Sequence, residues 1–279
     1  MENRSHLPIV VGVDASDSAR SAACWAADLA AAWRCELHLL HAVPGSADDA
    51  APGWLREIVD AAERAGAGPC RVELVPGGPA EALGERAARA RMLVLGSYGE
   101  GARSGMLAGS VALALAGEVT CPVAVVRGRM PQVPPPRGGP VVVGVDGSAT
   151  SHAAALLAAD IAGSFGNRLV AVHAWSEVEE GAGGLRRRPE DWGELARQGG
   201  AVLAAEVSGL AQLHPGLVVQ EELVHDTAVH VLLDRADEAR ALVVGHRRER
   251  APYGMGLGST SRALVEFAPC PVVVSDGTG

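Results

Sequence analysis

Short runs of apolar residues alternate with stretches in which apolar positions recur every three or four residues, along almost the whole chain. Leu7 to Val13 is apolar up to Asp14, the pattern of a strand buried on both faces in a parallel sheet. Ser16 or Ser18 then offers a cap for a helix whose Ala22, Trp25, Ala26, Leu29 and Trp33 share one face. Leu37 to Val43 predicts a second strand, and Ala51 to Ala65 a second helix with Trp54, Leu55, Ile58, Val59 and Ala62 on one side. Cys70, Val72 and Leu74 alternate with Arg71 and Glu73, which predicts a half-exposed edge strand. Pro79, suited to a first helical turn, opens a third helix. Arg91 to Leu95 predicts a fourth strand, Ser110 to Ala116 a fourth helix with Gly117 as its C-cap, and residues 121–126 a fifth strand. Such alternation predicts an α/β fold with a five-stranded, doubly wound parallel sheet and right-handed crossovers. In the order 2-1-3-4-5 or a relative of it, a ligand belongs beyond the carboxyl ends of the strands, where Asp14 and Gly96 both fall.

The pattern then repeats. Residues 127–140, RGRMPQVPPPRGGP, hold too much Pro and Gly for a strand or helix and predict a semi-rigid linker. This divides the chain into domains at 1–128 and 140–279, joined by residues 129–139. VVVGVD ending at Asp146 mirrors IVVGVD ending at Asp14, and His173 mirrors His41, at an offset of about 132 residues. Farther on the offset is about 149, since Gly245 answers Gly96 and Cys270 answers Cys121. The difference, roughly 17 residues, predicts an insertion after the second strand of the second domain, within Gly181 to Leu195. Its Arg186, Arg187 and Arg188 are expected in a solvated loop rather than on a partner. The apolar final strands, Val123 to Val126 and Val272 to Val274, would be poor bare edges and are expected to cover each other within the chain.

Composition narrows the function. With 279 residues, 48% hydrophobic and only 3% aromatic, the chain fills two ordinary domains with cores of Val, Leu and Ala. A net charge of -9 and a pI near 5.5 argue against a nucleic-acid partner. Every basic residue apart from His is Arg, which excludes a Walker A lysine and any lysine-dependent chemistry. Five cysteines without a CxxC pair fit reduced thiols, and no zinc site is expected. With no secretory leader and no apolar run of membrane-spanning length, the expectation is a soluble, cytoplasmic protein that meets no membrane.

The chemistry concentrates in Gly96 to Val111, GSYGEGARSGMLAGSV, which joins the fourth strand to the fourth helix. Gly96, Gly99 and Gly109 are free to adopt angles closed to other residues and to bare their N–H groups to an anion. Ser110 opens a helix whose unpaired amides favour the same charge. On spacing alone, an anion cradle and an ordinary flexible loop both fit. The spacing G-x2-G-x9-G-S resembles the nucleotide-binding signature of the universal stress protein family. It returns as GHRRERAPYGMGLGST, with Gly245, Gly258 and Ser259 in register and Arg248 where the first copy has Gly99.

That resemblance implies two tandem flavodoxin-like domains of the adenine nucleotide alpha hydrolase-like type. It also implies ATP binding, with or without Mg²⁺, and a role as a nucleotide-dependent sensor or regulator in stress adaptation or dormancy. By the same resemblance Asp14 lies near adenine and ribose, the backbone of Ala42 meets the adenine edge, and Val13 and Leu95 form apolar walls. Gly12 and Val111 complete the first candidate site, and Asp146 joins the second. His41 and His173 are expected as packed or turn histidines. Absence of GxSxG, HExxH and Walker A motifs weakens enzymatic readings, leaving weak ATPase or nucleotidyl transfer, or a scaffold without nucleotide, as alternatives. Arg248 is expected to close the second site, so that one ATP binds per chain and Arg248→Gly raises the stoichiometry towards two. A protein partner is expected without being identified, and homodimerisation of the tandem is left open.

Overall fold

A computed structural model describes residues 4–43, 51–99, 108–130, 133–176, 192–246 and 256–275. The first half runs β1 (Ile9–Gly12), α1 (Asp17–Trp33), β2 (Leu37–Val43), α2 (Gly53–Arg64), β3 (Arg71–Pro76), α3 (Pro79–Ala87), β4 (Met92–Gly96), α4 (Ser110–Glu118) and β5 (Val123–Val126). The second half repeats it with β6 (Val141–Gly144), α5 (Ala149–Phe165), β7 (Leu169–Trp175), α6 (Trp192–Leu213), β8 (Val219–His225), α7 (Ala228–Ala236), β9 (Ala241–Gly245), α8 (Ser259–Phe267) and β10 (Val272–Ser275).

All ten strands form one sheet in the order β3-β2-β1-β4-β5-β10-β9-β6-β7-β8. Within each half the strands are parallel in the order 3-2-1-4-5, so the relative of 2-1-3-4-5 that forms has its first strand at the centre. The winding reverses between β1 and β4, which opens a crevice where Gly12 and Gly96 end their strands. β5 and β10 pair antiparallel, Val123 against Val274 and Val125 against Val272, and all their residues are buried. Each strand thereby removes the other's open edge.

Local choices follow elementary rules. The Ser16 side chain caps α1 by accepting from the Ala19 N–H at 3.1 Å, and Pro79 stands in the first turn of α3. β3 is an edge strand, but apolar Val72 is exposed at 39%, as are Arg71 and Pro76, while the Glu73 side chain is covered. The reason is an ion pair to Arg86 of α3 at 2.9 Å, repeated between Glu222 and Arg235 in the second half at 2.6 Å. Gly117 does not end α4, which continues to Glu118 with Val119 as its cap; Gly117 is instead buried against the second domain. Of the expected insertion, residues 181–191, including Arg186, Arg187 and Arg188, lie outside the described residues. Residues 192–195 begin α6, which has 22 residues where α2 has 12.

Two reciprocal contacts join the halves. The Arg91 guanidinium lies 3.7 Å over the Trp33 ring of its own domain and pairs with Asp160 of the other at 3.0 Å. Arg240 lies 3.6 Å over Phe165 of its own domain and faces Asp28 of the other at 3.8 Å. Burying an arginine between a ring and a carboxylate strengthens both contacts relative to water.

Candidate nucleotide-binding site

The crevice beyond β1 and β4 is a cleft of about 380 Å³, within the usual range for small-molecule sites. Its lining contains Gly12, Val13, Asp14, Ala42, Leu95, Gly96, Gly99, Gly109, Ser110 and Val111, the complete set of first-domain candidates. Its floor is pinned where β1 ends. The Val13 N–H donates to Leu40 O at 2.9 Å, and His41 Nδ1 donates to Val13 O at 2.9 Å, since a carbonyl can only accept. Both polar groups of Val13 are therefore tied to β2, which fixes the direction in which Asp14 leaves the strand.

Asp14 Oδ1 accepts from the Ser16 N–H at 3.0 Å and from the Ser16 hydroxyl at 2.5 Å, an Asx turn that leads into α1. Asp14 Oδ2 faces the glycine loop, where a Cβ on Gly99 would stand 2.7 Å from it. On Gly96 a Cβ would stand 2.6 Å from Ser18 Oγ and 2.8 Å from Ser18 C, and on Gly12 it would stand 2.8 Å from Leu95 Cδ2. Gly96 is thus required by close approach to backbone, while at Gly99 and Gly12 the near neighbours are side-chain ends, Asp14 and Leu95. This corrects the expectation of unusual backbone angles, because no cradle glycine is among the described residues with positive φ. Gly109 has φ -72° as the N-cap of α4, and a Cβ there would meet nothing closer than Ser97 O at 3.6 Å. Its N–H is also used internally, donating to Ser97 O at 2.6 Å. The amides that open α4 beyond it belong to Ser110 and Val111.

The opposite wall comes from Leu40, His41, Pro79 and Leu83, and the loop side carries Tyr98. Burial, followed by the charges of Asp17 and Asp14, raises the Tyr98 phenol above its ordinary pKa, so it remains neutral and able to donate. Asp14 is the one acidic side chain among the described lining residues.

The second half builds a cleft of about 160 Å³. Asp146 and Gly245 line it, whereas Gly258 caps α8 and Ser259 opens that helix outside the lining. Arg248 lies outside the described residues. Two close approaches bring α6 against this half: a Cβ on Gly147 would stand 3.2 Å from Val202, and one on Gly199 would stand 3.0 Å from His173 Nε2.

The family model described as Universal stress protein family matches residues 7–127 and 139–275. The chain belongs to the universal stress protein family. Two universal stress proteins of Mycobacterium tuberculosis are 32% and 34% identical to it over 296 and 292 residues. The alignments cover 97% and 98% of this chain and the same shares of those relatives. A universal stress protein from Archaeoglobus fulgidus superimposes with a TM-score of 0.67 at 19% identity over 99% of this chain and 100% of its own, a likeness of fold.

Family membership accounts for the duplicated α/β units and for the position of the glycine loop. The sequence alone marks His41 as packed. It does pack, edge-on against Trp54 with centroids 4.8 Å apart, and it also lines the cleft and holds Val13. The signal for that second role is the recurrence of His before Ala at the same strand position in both halves, His41–Ala42 and His173–Ala174. Tyr98, Pro79 and Leu83 escape a reading of the sequence as lining residues because each carries an adequate local explanation as loop, helix start or core. Among the described residues no group of three or more His, Cys, Asp or Glu side chains is placed to hold a metal, and no helix is long and apolar enough to cross a membrane.

Proposed function

We propose that the first domain binds an adenine nucleotide, ATP by the family resemblance, and that the protein works as a nucleotide-dependent sensor or regulator in stress adaptation or dormancy rather than as an enzyme. The observation that carries this reading is the pairing of one carboxylate, Asp14, with a glycine-bounded cleft at the switch point of the sheet. Asp14 would accept hydrogen bonds from the ribose hydroxyls, each charge-assisted bond contributing about 1.5–3 kcal/mol. Val13 and Leu95 would flank the base, with the Ala42 backbone at its polar edge. Phosphates would meet the amides of Ser110 and Val111 at the positive end of α4. Close approach of Gly99 to Asp14 keeps side-chain bulk out of the space between sugar and phosphates. Mg²⁺, if it travels with ATP, would be held chiefly by the phosphates.

Functional units at 1–128 and 140–279, with a linker at 129–139, suit this assignment. Asp146, Gly245, Gly258 and Ser259 then form a weaker second site. Five cysteines without a disulfide suit a reducing compartment such as the cytoplasm. The test is calorimetric titration of the full chain with ATP, ADP and AMP, alongside mass spectrometry of small molecules released on denaturation. Saturable adenine-nucleotide binding at about one per chain supports the reading. No binding of any adenine nucleotide overturns it.

A further inference from the structure

Helix α4 is short, nine residues, and both of its ends are held by neighbours. Its first turn borders the cleft through Ser110, Val111 and Ala112. Near its other end, about 10 Å away at 1.5 Å per residue, Gly117 lies against the second domain. A Cβ built on Gly117 would stand 2.7 Å from Gly256 Cα and Gly256 C, and 3.0 Å from the Leu257 N. In the opposite direction, a Cβ on Gly256 would stand 2.9 Å from Gly117 Cα and 3.0 Å from Gly117 C and O. The two backbones touch with no side chain between them, so neither can move towards the other without displacing it.

Gly256 stands two residues before Gly258, which caps α8. Leu257 packs into the same apolar cluster as Val111, Leu113, Leu115 and Ala116 of α4. The far end of α8 is held too, since Arg127 Nη1 donates to Glu266 O at 2.5 Å across the domain boundary. A nine-residue helix is marginal alone and takes its position from tertiary contacts. Here the contact behind its C-terminal turn comes from the other domain.

We propose that Gly117 and Gly256 are positioning residues for the first cleft. Gly256 and Leu257 of the second domain set where the N-terminal turn of α4 stands, and occupation of the first cleft is registered at Gly256 and at the start of α8. The second half of this statement rests on the nucleotide reading above; the first half does not. Linkage makes the effect reciprocal: whatever the contact does for nucleotide affinity, the nucleotide does for the contact.

Hydrogen exchange on the full chain, read by mass spectrometry, separates the two halves of the proposal. Without ligand, Gly256→Ala should speed exchange in residues 110–118 of the other domain, and Gly117→Ala should speed it in residues 256–267. Unchanged exchange across the contact in both variants overturns the positioning role. With ATP and Mg²⁺ added, the wild type should gain protection in 256–267 as well as in 110–118. ATP binding measured by calorimetry with protection confined to the first domain overturns the transmission. Gly256→Ala should also weaken ATP about fivefold or more, although Gly256 is not part of the cleft. A purely structural contact would lower the melting temperature and leave that affinity unchanged. If ATP fails to bind the wild type, the nucleotide reading falls while the ligand-free comparison still decides the positioning role. If one variant fails to fold, the other decides the positioning role, and the wild-type exchange pattern with and without ATP decides the transmission.

Discussion

The two clefts share their foundations and differ more than twofold in volume, about 380 Å³ against about 160 Å³. Where each central strand ends the parts coincide. The Val13 and Val145 N–H groups each donate to β2 or β7 at 2.9 Å, and their carbonyls accept from His41 and His173 at 2.9 and 2.8 Å. Asp14 and Asp146 receive Ser16 and Ser148 N–H groups at 3.0 and 2.9 Å. Divergence begins in the next shell of contacts. The Ser16 hydroxyl donates to Asp14, while the Ser148 hydroxyl pairs with Thr150 Oγ1 at 3.0 Å. Ala15 is replaced by Gly147 at φ +79°, beside Val202 of the longer helix α6. Duplication kept the sheet, where a change would unpair buried strands, and the halves parted in helices and loops, where change is cheap.

The largest expected effect should break the symmetry outright. Asp14→Ala is expected to weaken ATP by about 10- to 100-fold, the loss of one charge-assisted hydrogen bond, while Asp146→Ala leaves the tight site as it was. Titration calorimetry with a thermal melt of each variant checks this, and equal losses from both variants would mean that the clefts are equivalent. Gly109→Ala should weaken ATP less than Asp14→Ala and barely move the melt, because its Cβ finds ordinary contact distances.

Next in size comes a test in which the halves should agree. A Cβ on Gly96 would strike Ser18 Oγ at 2.6 Å, and one on Gly245 would strike the Thr150 carbonyl oxygen at 2.5 Å, each on the first turn of the helix that follows the neighbouring central strand, α1 and α5. Gly96→Ala and Gly245→Ala should each cost about 2–3 kcal/mol of stability by overpacking. Denaturant titration that finds one of them neutral would show that its strand and helix are less tightly apposed than in the structure.

A smaller effect separates the halves again. Gly147→Ala should cost about 1–2 kcal/mol, because the residue combines positive φ with Val202 overhead. The reverse change at the matching position, Ala15→Gly, should stay within about 0.5 kcal/mol. Chemical melts of the two variants make the comparison direct.

The smallest effect touches both halves alike. Burial raises the Cys70 thiol to about 11 and the Cys270 thiol to about 12, from an ordinary value of 9.0. The folded state therefore holds these protons more tightly than the unfolded chain. Their contribution is complete below pH 9 and is lost as pH rises, from 9 to about 11 for Cys70 and from 9 to about 12 for Cys270. The slope is about 1.4 kcal/mol per pH unit for a fully shifted group, with less expected from half-exposed Cys70. Melting temperatures between pH 8 and 10 should fall, and Cys270→Ala should flatten the fall. A slope unchanged by that substitution would contradict the buried thiol.

Much of the first cleft is legible in the sequence. The apolar run Leu37–Val43 matches β2 to the residue, and Asp14, Gly96 and Gly99 come together as their spacing suggests, because apolar runs and glycine spacing are local and each half repeats the other. The reason for the glycines is less legible. The chain alone suggests unusual angles, while the folded protein has Ser18 and Asp14 pressed against Gly96 and Gly99. Nothing near residue 96 in sequence announces residue 18.

By itself the sequence determined the alternation of strands and helices, the duplication, the apolar β5 and β10, and the glycine and acid positions that line the first cleft. Each of these is set by periodicity or by short-range backbone chemistry. Only the tertiary structure decided that β1 and β6 stand at the centres of their halves, since a crossover to either side satisfies the same pattern. It alone set the two arginine contacts, Arg91 to Asp160 and Arg240 to Asp28, and the approach of Gly117 to Gly256. Those pairs join residues far apart in the chain, and their geometry exists only once β5 and β10 have brought the two halves together.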